Sequence, residues 1–307
     1  MYKRQILKLT IYHTNDIHSH LNEYARIQSY MTEHRSKLQH PSLYLDIGDH
    51  VDLSAPITQA TLGKKNIELL NEAKCDIATI GNNEGMTISH EALQNLYTNA
   101  QFEVICANVF DEEGRLPNRI ASSYIKEIDG VRILFVAATA PFTPFYRALD
   151  WVVTNPLESI KDEIKANDGQ YDVLIVMSHV GVFFDEKLCQ EIPEIDLILG
   201  SHTHHHFDHG QMNNGVLMAA AGKYGHYLGE VNLTIENKSI TRKTACLHPL
   251  ETLPEVQTNF DEEGKAMMRT PVVNHPLKLD NKTDVITKTS YLLAESCLLY
   301  TSPSPRD

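Results

Sequence analysis

Short apolar runs alternate with helical stretches from the start of the chain, and that alternation constrains the fold more than any other feature of the sequence. Lys8–Thr14, Ser42–Ile47, Ile77–Ile80 and Glu103–Ala107 read as strands, and Asn22–His34, Ile57–Ala73 and Ser89–Asn99 between them read as helices. The strand runs carry little polar alternation, as strands covered on both faces do, so the series predicts a mostly buried, partly parallel sheet in an α/β fold. A second sheet is expected further on. Asp129-Gly130 between Tyr124–Ile128 and Val131–Ala138 is a strong two-residue hairpin signal, and Val216–Ala221, Leu228–Ile235 and Ile240–Leu247 add strands to it, with Asn237-Lys238 as a turn. A helix near Leu157–Ala166 and the apolar strands Val173–Met177 and Leu197–Leu199 lie between them.

After Pro249 the pattern becomes polar and partly helical over Val256–Met268, and Thr270-Pro271 and His275-Pro276 mark a linker. The reading is a main domain over 6–250, a linker over 251–276 and, from Leu277, the opening of a second, truncated domain over 277–296, with Tyr291–Ser296 as its first helix. The tail Cys297–Asp307 breaks off that helical pattern and resembles translated adapter sequence, as does the opening MYKRQ, so 1–5 and 297–307 are expected to be non-native.

Composition narrows the function classes. A hydrophobic share of 42% with 22% charged residues is that of a soluble globular chain, and no apolar run approaches the roughly 18 to 20 residues of a membrane helix. A formal net charge of −13 argues against nucleic acid as a partner, so any phosphate the chain handles needs a local positive site. Cys75, Cys106, Cys189, Cys246 and Cys297 form no CxxC pair and sit mostly in apolar runs, which predicts reduced thiols and a cytoplasmic protein. The 16 histidines cluster in a few short segments, which makes a metal site the first thing to test.

Five segments place ligand-type residues where an apolar run ends: Asp16-Ile17-His18, Gly48-Asp49, Gly81-Asn82, Ser178-His179 and Gly200-Ser201-His202-Thr203-His204. Loops beyond the carboxyl ends of strands in an open α/β sheet converge on one crevice, so ligands distant in sequence meet there. Each segment alone is weak, since Gly-Asp is a common turn and an isolated Ser-His at a strand end is more often a loop histidine. Together, the oxygens of Asp16, Asp49 and Asn82 and the imidazoles of His18, His179, His202 and His204 exceed what one ion uses. They suit two divalent cations sharing one carboxylate, with manganese, zinc or iron equally compatible.

The order of these motifs resembles the calcineurin-like metallophosphoesterases, and the run Tyr12-His13-Thr14-Asn15-Asp16-Ile17-His18-Ser19-His20 is most similar to their 5′-nucleotidase and UDP-sugar hydrolase branch. The resemblance covers about residues 8–250. It implies a four-layer αββα sandwich with a two-metal site at its top, followed by a C-terminal substrate-recognition domain. It implies further that Asp16, His18 and His204 hold one metal and Asn82, His179 and His202 the other, with Asp49 bridging. One position departs from the family pattern. Where the family reads Gly-Asn-His followed by an acid, this chain reads Gly81-Asn82-Asn83-Glu84, so the phosphate-contacting histidine that assists the leaving group is replaced by Asn83, and its partner aspartate falls at Met86. An amide cannot act as a general acid, a contribution typically worth a factor of about 10² to 10⁴.

Two cations about 3.5 to 4 Å apart make a hydroxide available near neutral pH and stabilise charge during in-line displacement at phosphorus. The expected function is therefore two-metal hydrolysis of a small phosphoester, foremost a nucleotide phosphomonoester attacked by a metal-bridging hydroxide. The alternatives are a pyrophosphate or cyclic phosphodiester, such as a UDP-sugar or a 2′,3′-cyclic nucleotide, and a catalytically weak metal-binding regulatory module. His205, His206 and His209 read as solvated loop histidines, and Asp111–Glu113 and Asp261–Glu263 as solvated faces. Asn15, Asp46 and Asp52 lie beside the ligand positions, where orienting a ligand and closing a turn explain them about equally, and His13 and His20 are open in the same way.

Overall fold

Alternate residues along the central strands bury into two different apolar layers, and this sets the architecture. In Val131–Thr139, Ile133, Phe135 and Ala137 enter one layer while Leu134, Val136 and Ala138 enter another, and Ile175 and Met177 of Val173–His179 part from Leu174 and Val176 in the same way. The strand Ile6–Thr14 sends Leu7, Leu9 and Ile11 into the first of these layers and Tyr12 into a third. The shared layer is the interface of two sheets, and helices cover the outer face of each, giving αββα. The computed structural model describes residues 6–269, so the expectations for 1–5, for the linker beyond Arg269, for the helix at Tyr291–Ser296 and for the tail lie outside the described residues. The unit that holds both sheets extends to Lys265.

In spatial order the first sheet contains Ser239–Pro249, Tyr227–Glu236, Ile6–Thr14, Ser42–Asp46, Ile77–Thr79, Glu103–Ile105 and Ile120–Ala121. The second contains Gln211–Asn213, Val216–Ala219, Leu197–Gly200, Val173–His179, Val131–Thr139 and Ser123–Ile128. The five strands from Ile6–Thr14 onward are parallel, as are Val131–Thr139, Val173–His179, Leu197–Gly200 and Val216–Ala219 in the second sheet. Their carboxyl ends lie side by side, Thr14 opposite Asp46 and His179 opposite Thr139, which brings the loops that follow to one edge.

Both predicted hairpin turns form, with Asp129 and Gly130 at φ 48° and 75° and Asn237 and Lys238 at φ 50° and 68°. The second hairpin belongs to the first sheet rather than the second. Tyr227–Glu236 pairs antiparallel with Ile6–Thr14, setting Leu7, Leu9 and Ile11 opposite Ile235, Leu233 and Val231. Apolar alternation marks a strand but does not say which edge it joins. The single helix expected over Ile57–Ala73 is two, Pro56–Thr61 and Lys64–Glu72, because Leu62 and Gly63 turn left-handed at φ 50° and 81°. A Cβ on Gly63 would lie 2.7 Å from a Val51 methyl, so the break lets the chain pass close to the loop after Asp49.

Helix Val182–Glu191 packs Leu188 and Cys189 against the second sheet and buries Asp185 with them. Burial raises this carboxyl to about 8. An unfolded aspartate titrates near about 4, so between about pH 4 and pH 8 the native state of the metal-free protein holds a proton that unfolding releases, and stability falls as pH rises through that window. Asp185→Asn should flatten the dependence: urea midpoints measured at about pH 5 and about pH 8 should lie closer together in the variant than in the parent, and an unchanged gap refutes the assignment.

Candidate metal centre

The loops that carry the expected ligands are held in conformations that side chains rarely adopt. Asp16, His18, Asp49, His202 and His204 have φ of 51°, 49°, 51°, 71° and 56°. Left-handed backbone at residues with a side chain costs of order 1 kcal/mol and persists where surrounding contacts over-determine it. Those contacts are visible. Gly48, at φ 85°, lies so close to the next loop that a Cβ there would stand 2.4 Å from the Gly81 nitrogen, and a Cβ on Gly81 would strike Asp49 Oδ1 at 2.1 Å. Glu84 ties the two loops together. Its Oε2 accepts from the backbone N–H groups of Asp49 and Gly81 at 3.0 and 2.9 Å, and its Oε1 from that of Val51 at 2.9 Å.

The two sheets meet at the Ile47 carbonyl, which lies 2.7 Å from His179 Nδ1 and accepts from the Ser201 hydroxyl at 3.2 Å. His179 Nε2 therefore faces the carboxylates, 3.2 Å from Asp49 Oδ2 and 3.8 Å from Asp16 Oδ1. His18 Nε2 lies 3.7 Å from each of the same two oxygens, so both carboxylates stand between the two imidazoles. His204 Nε2 is 3.5 Å from Asp16 Oδ1 and 3.2 Å from His18 Nε2. Asp16, His18 and His204 form one group and Asp16, Asp49 and His179 another, their ligand atoms within 4.8 Å of one another in each. The His202 N–H donates to Asp16 Oδ2 at 3.1 Å, and its ring centroid lies 5.5 Å from that of His179. Asn82 opens the short helix Asn82–Met86.

A divalent cation suits this set on the structure's own terms. Asp16 Oδ1, Asn82 Oδ1 and His179 Nε2 are buried without a hydrogen-bond partner, and buried polar atoms are rarely left so. Burial works against charge on His179 and His18, yet the carboxylates of Asp49 and Asp16, joined at His18 by Asp52, raise both to about 10. Burial likewise opposes the Asp16 anion, and His18 and His179 nevertheless bring it down to about 2. Protons on these imidazoles balance the two carboxylates where cations would. Burial, and after it the Asp49 charge, lifts Glu84 to about 7.

The neighbours left open by the sequence take definite roles. Asp52 Oδ2 lies 3.1 Å from His18 Nδ1, the Asn15 amide donates to Asp16 Oδ2 at 2.8 Å, and Asp46 accepts from the Thr14 hydroxyl at 2.7 Å. His13 packs its buried ring on Gly229, and His20 stacks on Tyr224 with centroids 4.2 Å apart. His206 and His209 are exposed, but His205 is half-buried and burial lowers it to about 4, so it is not a solvated loop histidine. Asp111 is buried and paired with Arg115 at 2.8 Å rather than lying on a solvated face. Three residues beside the centre carry no motif and were not anticipated. Tyr224 has its ring 5.6 Å from that of His18, Lys223 has its ammonium 4.6 Å from the Tyr224 centroid, and Phe142 lies 5.5 Å from the His202 ring.

Asn83 turns into the centre. Its backbone N–H donates to Asp49 Oδ1 at 2.7 Å, and its amide nitrogen donates to Asp49 Oδ2 at 2.9 Å and lies 3.1 Å from His18 Nδ1.

With this fold and these loops, residues 9–206 match the family model described as calcineurin-like phosphoesterase, and the chain belongs to that family. It is 46% identical over 246 residues to the uncharacterized metallophosphoesterase YunD of Bacillus subtilis (strain 168), a match covering 78% of this chain and 53% of that protein. To the trifunctional nucleotide phosphoesterase protein YfkN of the same organism it is 27% identical over 272 residues, covering 76% of this chain and 18% of that one. The 5′-nucleotidase precursor from Thermus thermophilus shares the fold with a TM-score of 0.71 at 22% identity, over 85% of this chain and 58% of that one. The chain thus spans about half the length of the first of these relatives. Among the described residues no helix is long and apolar enough to cross a membrane.

Glu84→Gln keeps the shape but turns an amide N–H2 toward backbone donors. It should lower unfolding free energy by about 1 to 3 kcal/mol in urea titrations, and a variant as stable as the parent would show that Glu84 does not join the loops.

Proposed function

We propose that the chain is a metal-dependent hydrolase of small phosphoesters, with nucleotide phosphomonoesters as its foremost substrates. The observation that carries this reading is the placement of Asp16 and Asp49 between His18 and His179, with buried donor atoms unpaired. Asp16, His18, Asp49, Asn82, His179, His202 and His204 are the residues assigned to hold two divalent cations. Bound there, the cations supply Lewis acidity toward a phosphoryl oxygen and lower the pKa of water. Relatives named as a nucleotide phosphoesterase and as a 5′-nucleotidase support the nucleotide class.

The protein's own residues supply position and exclusion. Glu84 and the paired glycines fix Asp49, the Ile47 carbonyl fixes His179, and Asp52 fixes His18. Lys223, whose ammonium lies 4.6 Å from the Tyr224 centroid beside the centre, offers a positive group for a phosphate oxygen. The Phe142 ring gives an apolar wall beside His202. Asn83 is a positioning residue in this scheme: its amide holds Asp49 and cannot deliver a proton to a departing alkoxide.

That last feature favours a second reading on the same residues, hydrolysis of a pyrophosphate such as a UDP-sugar, whose leaving phosphate needs no acid, or of a cyclic phosphodiester such as a 2′,3′-cyclic nucleotide, whose ring strain assists opening. A panel of nucleoside monophosphates, 2′,3′-cyclic nucleotides, UDP-sugars and an aryl phosphate, each assayed with and without manganese, separates the two. Asp49→Asn should abolish turnover on every ester while the protein stays folded; full activity in that variant sinks the scheme. Asn83→His should raise kcat on nucleoside monophosphates by about 10² or more and change aryl ester hydrolysis little, since an aryl leaving group needs no acid. Equal gains on both would mean that Asn83 limits something other than departure of the leaving group.

A further inference from the structure

A second group of ligand-type side chains stands on a different surface of the first sheet. Glu230 and Cys246 are cross-strand partners in the hairpin formed by Tyr227–Glu236 and Ser239–Pro249, and His248 follows two residues after Cys246 on the same face. Their ligand atoms lie within 4.8 Å of one another. The group sits on the helix-covered face of the sheet, beside Tyr30 of helix Leu21–Lys37, whereas the candidate centre lies beyond the strand ends; the two share no residue.

Three observations point to a ligand rather than to an ordinary surface ion pair. The donor set joins a thiol, an imidazole and a carboxylate, and all three residues are half-buried, neither sealed in the core nor free in solvent. His248 Nε2 is 2.8 Å from Glu230 Oε2, while His248 Nδ1 lies 3.2 Å from the Tyr30 hydroxyl. A histidine that binds metal through one nitrogen commonly has the other fixed by such an oxygen, which sets the tautomer and the ring plane. A pair of Glu230 and His248 alone would leave the sulfur without a purpose, yet Cys246 lies against the same imidazole. His34, one turn beyond Tyr30, stacks on it with centroids 3.7 Å apart and has its Nδ1 2.9 Å from the Tyr30 carbonyl, which helps hold the Tyr30 ring beside His248. Donor atoms around a tetrahedral zinc stand about 3 to 4 Å apart, given metal-ligand distances of about 2.0 to 2.3 Å, and the ligand atoms of these three side chains lie within 4.8 Å of one another.

We propose that Glu230, Cys246 and His248 form a single-ion site for zinc or a similar thiophilic divalent cation, with the fourth position open to water. A thiolate, an imidazole and a carboxylate favour zinc and cobalt over magnesium or calcium. The site binds without turning over a substrate, so it stands or falls apart from the proposed hydrolysis.

Cobalt(II) titration of the full metal-free chain tests it, because thiolate ligation gives a sulfur-to-metal charge-transfer absorption in the near ultraviolet and the candidate centre holds no cysteine among its ligands. The parent protein should show this absorption, reaching the amplitude of one thiolate-ligated cobalt per chain, while cobalt taken up by the candidate centre adds nothing to the band. Cys246→Ser should lose it and bind one zinc fewer by elemental analysis, and His248→Ala should weaken cobalt binding at least tenfold. Asp49→Asn should keep the absorption even where hydrolysis is gone. No absorption in the parent, or the same absorption and zinc content in Cys246→Ser, overturns the proposal. Loss of the band in Asp49→Asn would overturn the claim that the two sites are separate.

Discussion

The Ile47 carbonyl is the hinge point on which the candidate centre depends. It immediately follows the strand Ser42–Asp46 of one sheet and receives two groups from the other, the His179 ring and the Ser201 hydroxyl. Holding Nδ1 leaves Nε2 no choice but to face the carboxylates of Asp16 and Asp49. Sheets packed through apolar side chains can slide by a fraction of a residue at modest cost, but a pair of directional hydrogen bonds at the rim removes that freedom where the chemistry needs it. The apolar layer between the sheets supplies cohesion, and this one backbone oxygen supplies registration.

Strain and its compensation are concentrated at the same rim. Five of the residues that face the centre have left-handed backbone, a geometry their side chains alone would avoid. What holds them is a set of contacts available only to a few residue types. Two glycines allow adjacent loops to touch, and one buried carboxylate collects N–H groups from both. A buried acid whose oxygens accept from three backbone N–H groups is a rigid brace, and it satisfies those groups where no regular secondary structure does. The rest of the two sheets is free to be ordinary because the unusual geometry is confined to their carboxyl edge.

Much of this was legible in the sequence. Apolar runs ending in Asp16, Asp49, Asn82, His179 and the His202–His204 pair marked both the strands and the loops that follow them, because parallel strands must expose their carboxyl ends on one edge. Tight turns at Asp129-Gly130 and Asn237-Lys238 were readable for a local reason, namely that left-handed turn residues are few in kind. Sheet membership was not readable. The hairpin after Tyr227 has the same alternation whichever sheet it joins, and only pairing with Ile6–Thr14 decides it. The break at Leu62-Gly63 was hidden because both flanking segments, Pro56–Thr61 and Lys64–Glu72, are themselves helical and a single glycine between them is tolerated in a helix. Tyr224, Lys223 and Phe142 carry no spacing signal, since their nearness to the centre follows from loop paths rather than from any strand end.

The long-range pairing of the first strand has a consequence for how the chain is made. Ile6–Thr14 and one of its two neighbours, Tyr227–Glu236, lie more than 200 residues apart in the chain, so the first is synthesised well before the second. At about 5 to 20 residues per second, the strand waits roughly 10 to 45 s with an open, apolar edge before its partner exists. An exposed strand edge is a template for pairing with other chains, so this interval is when the nascent protein is most open to misassembly. Helix Leu21–Lys37 and the parallel strand Ser42–Asp46 arrive within that interval and cover one face and the other edge, the strands of the second sheet later cover the face that carries Leu7, Leu9 and Ile11, and the remaining edge stays open until the final hairpin closes it.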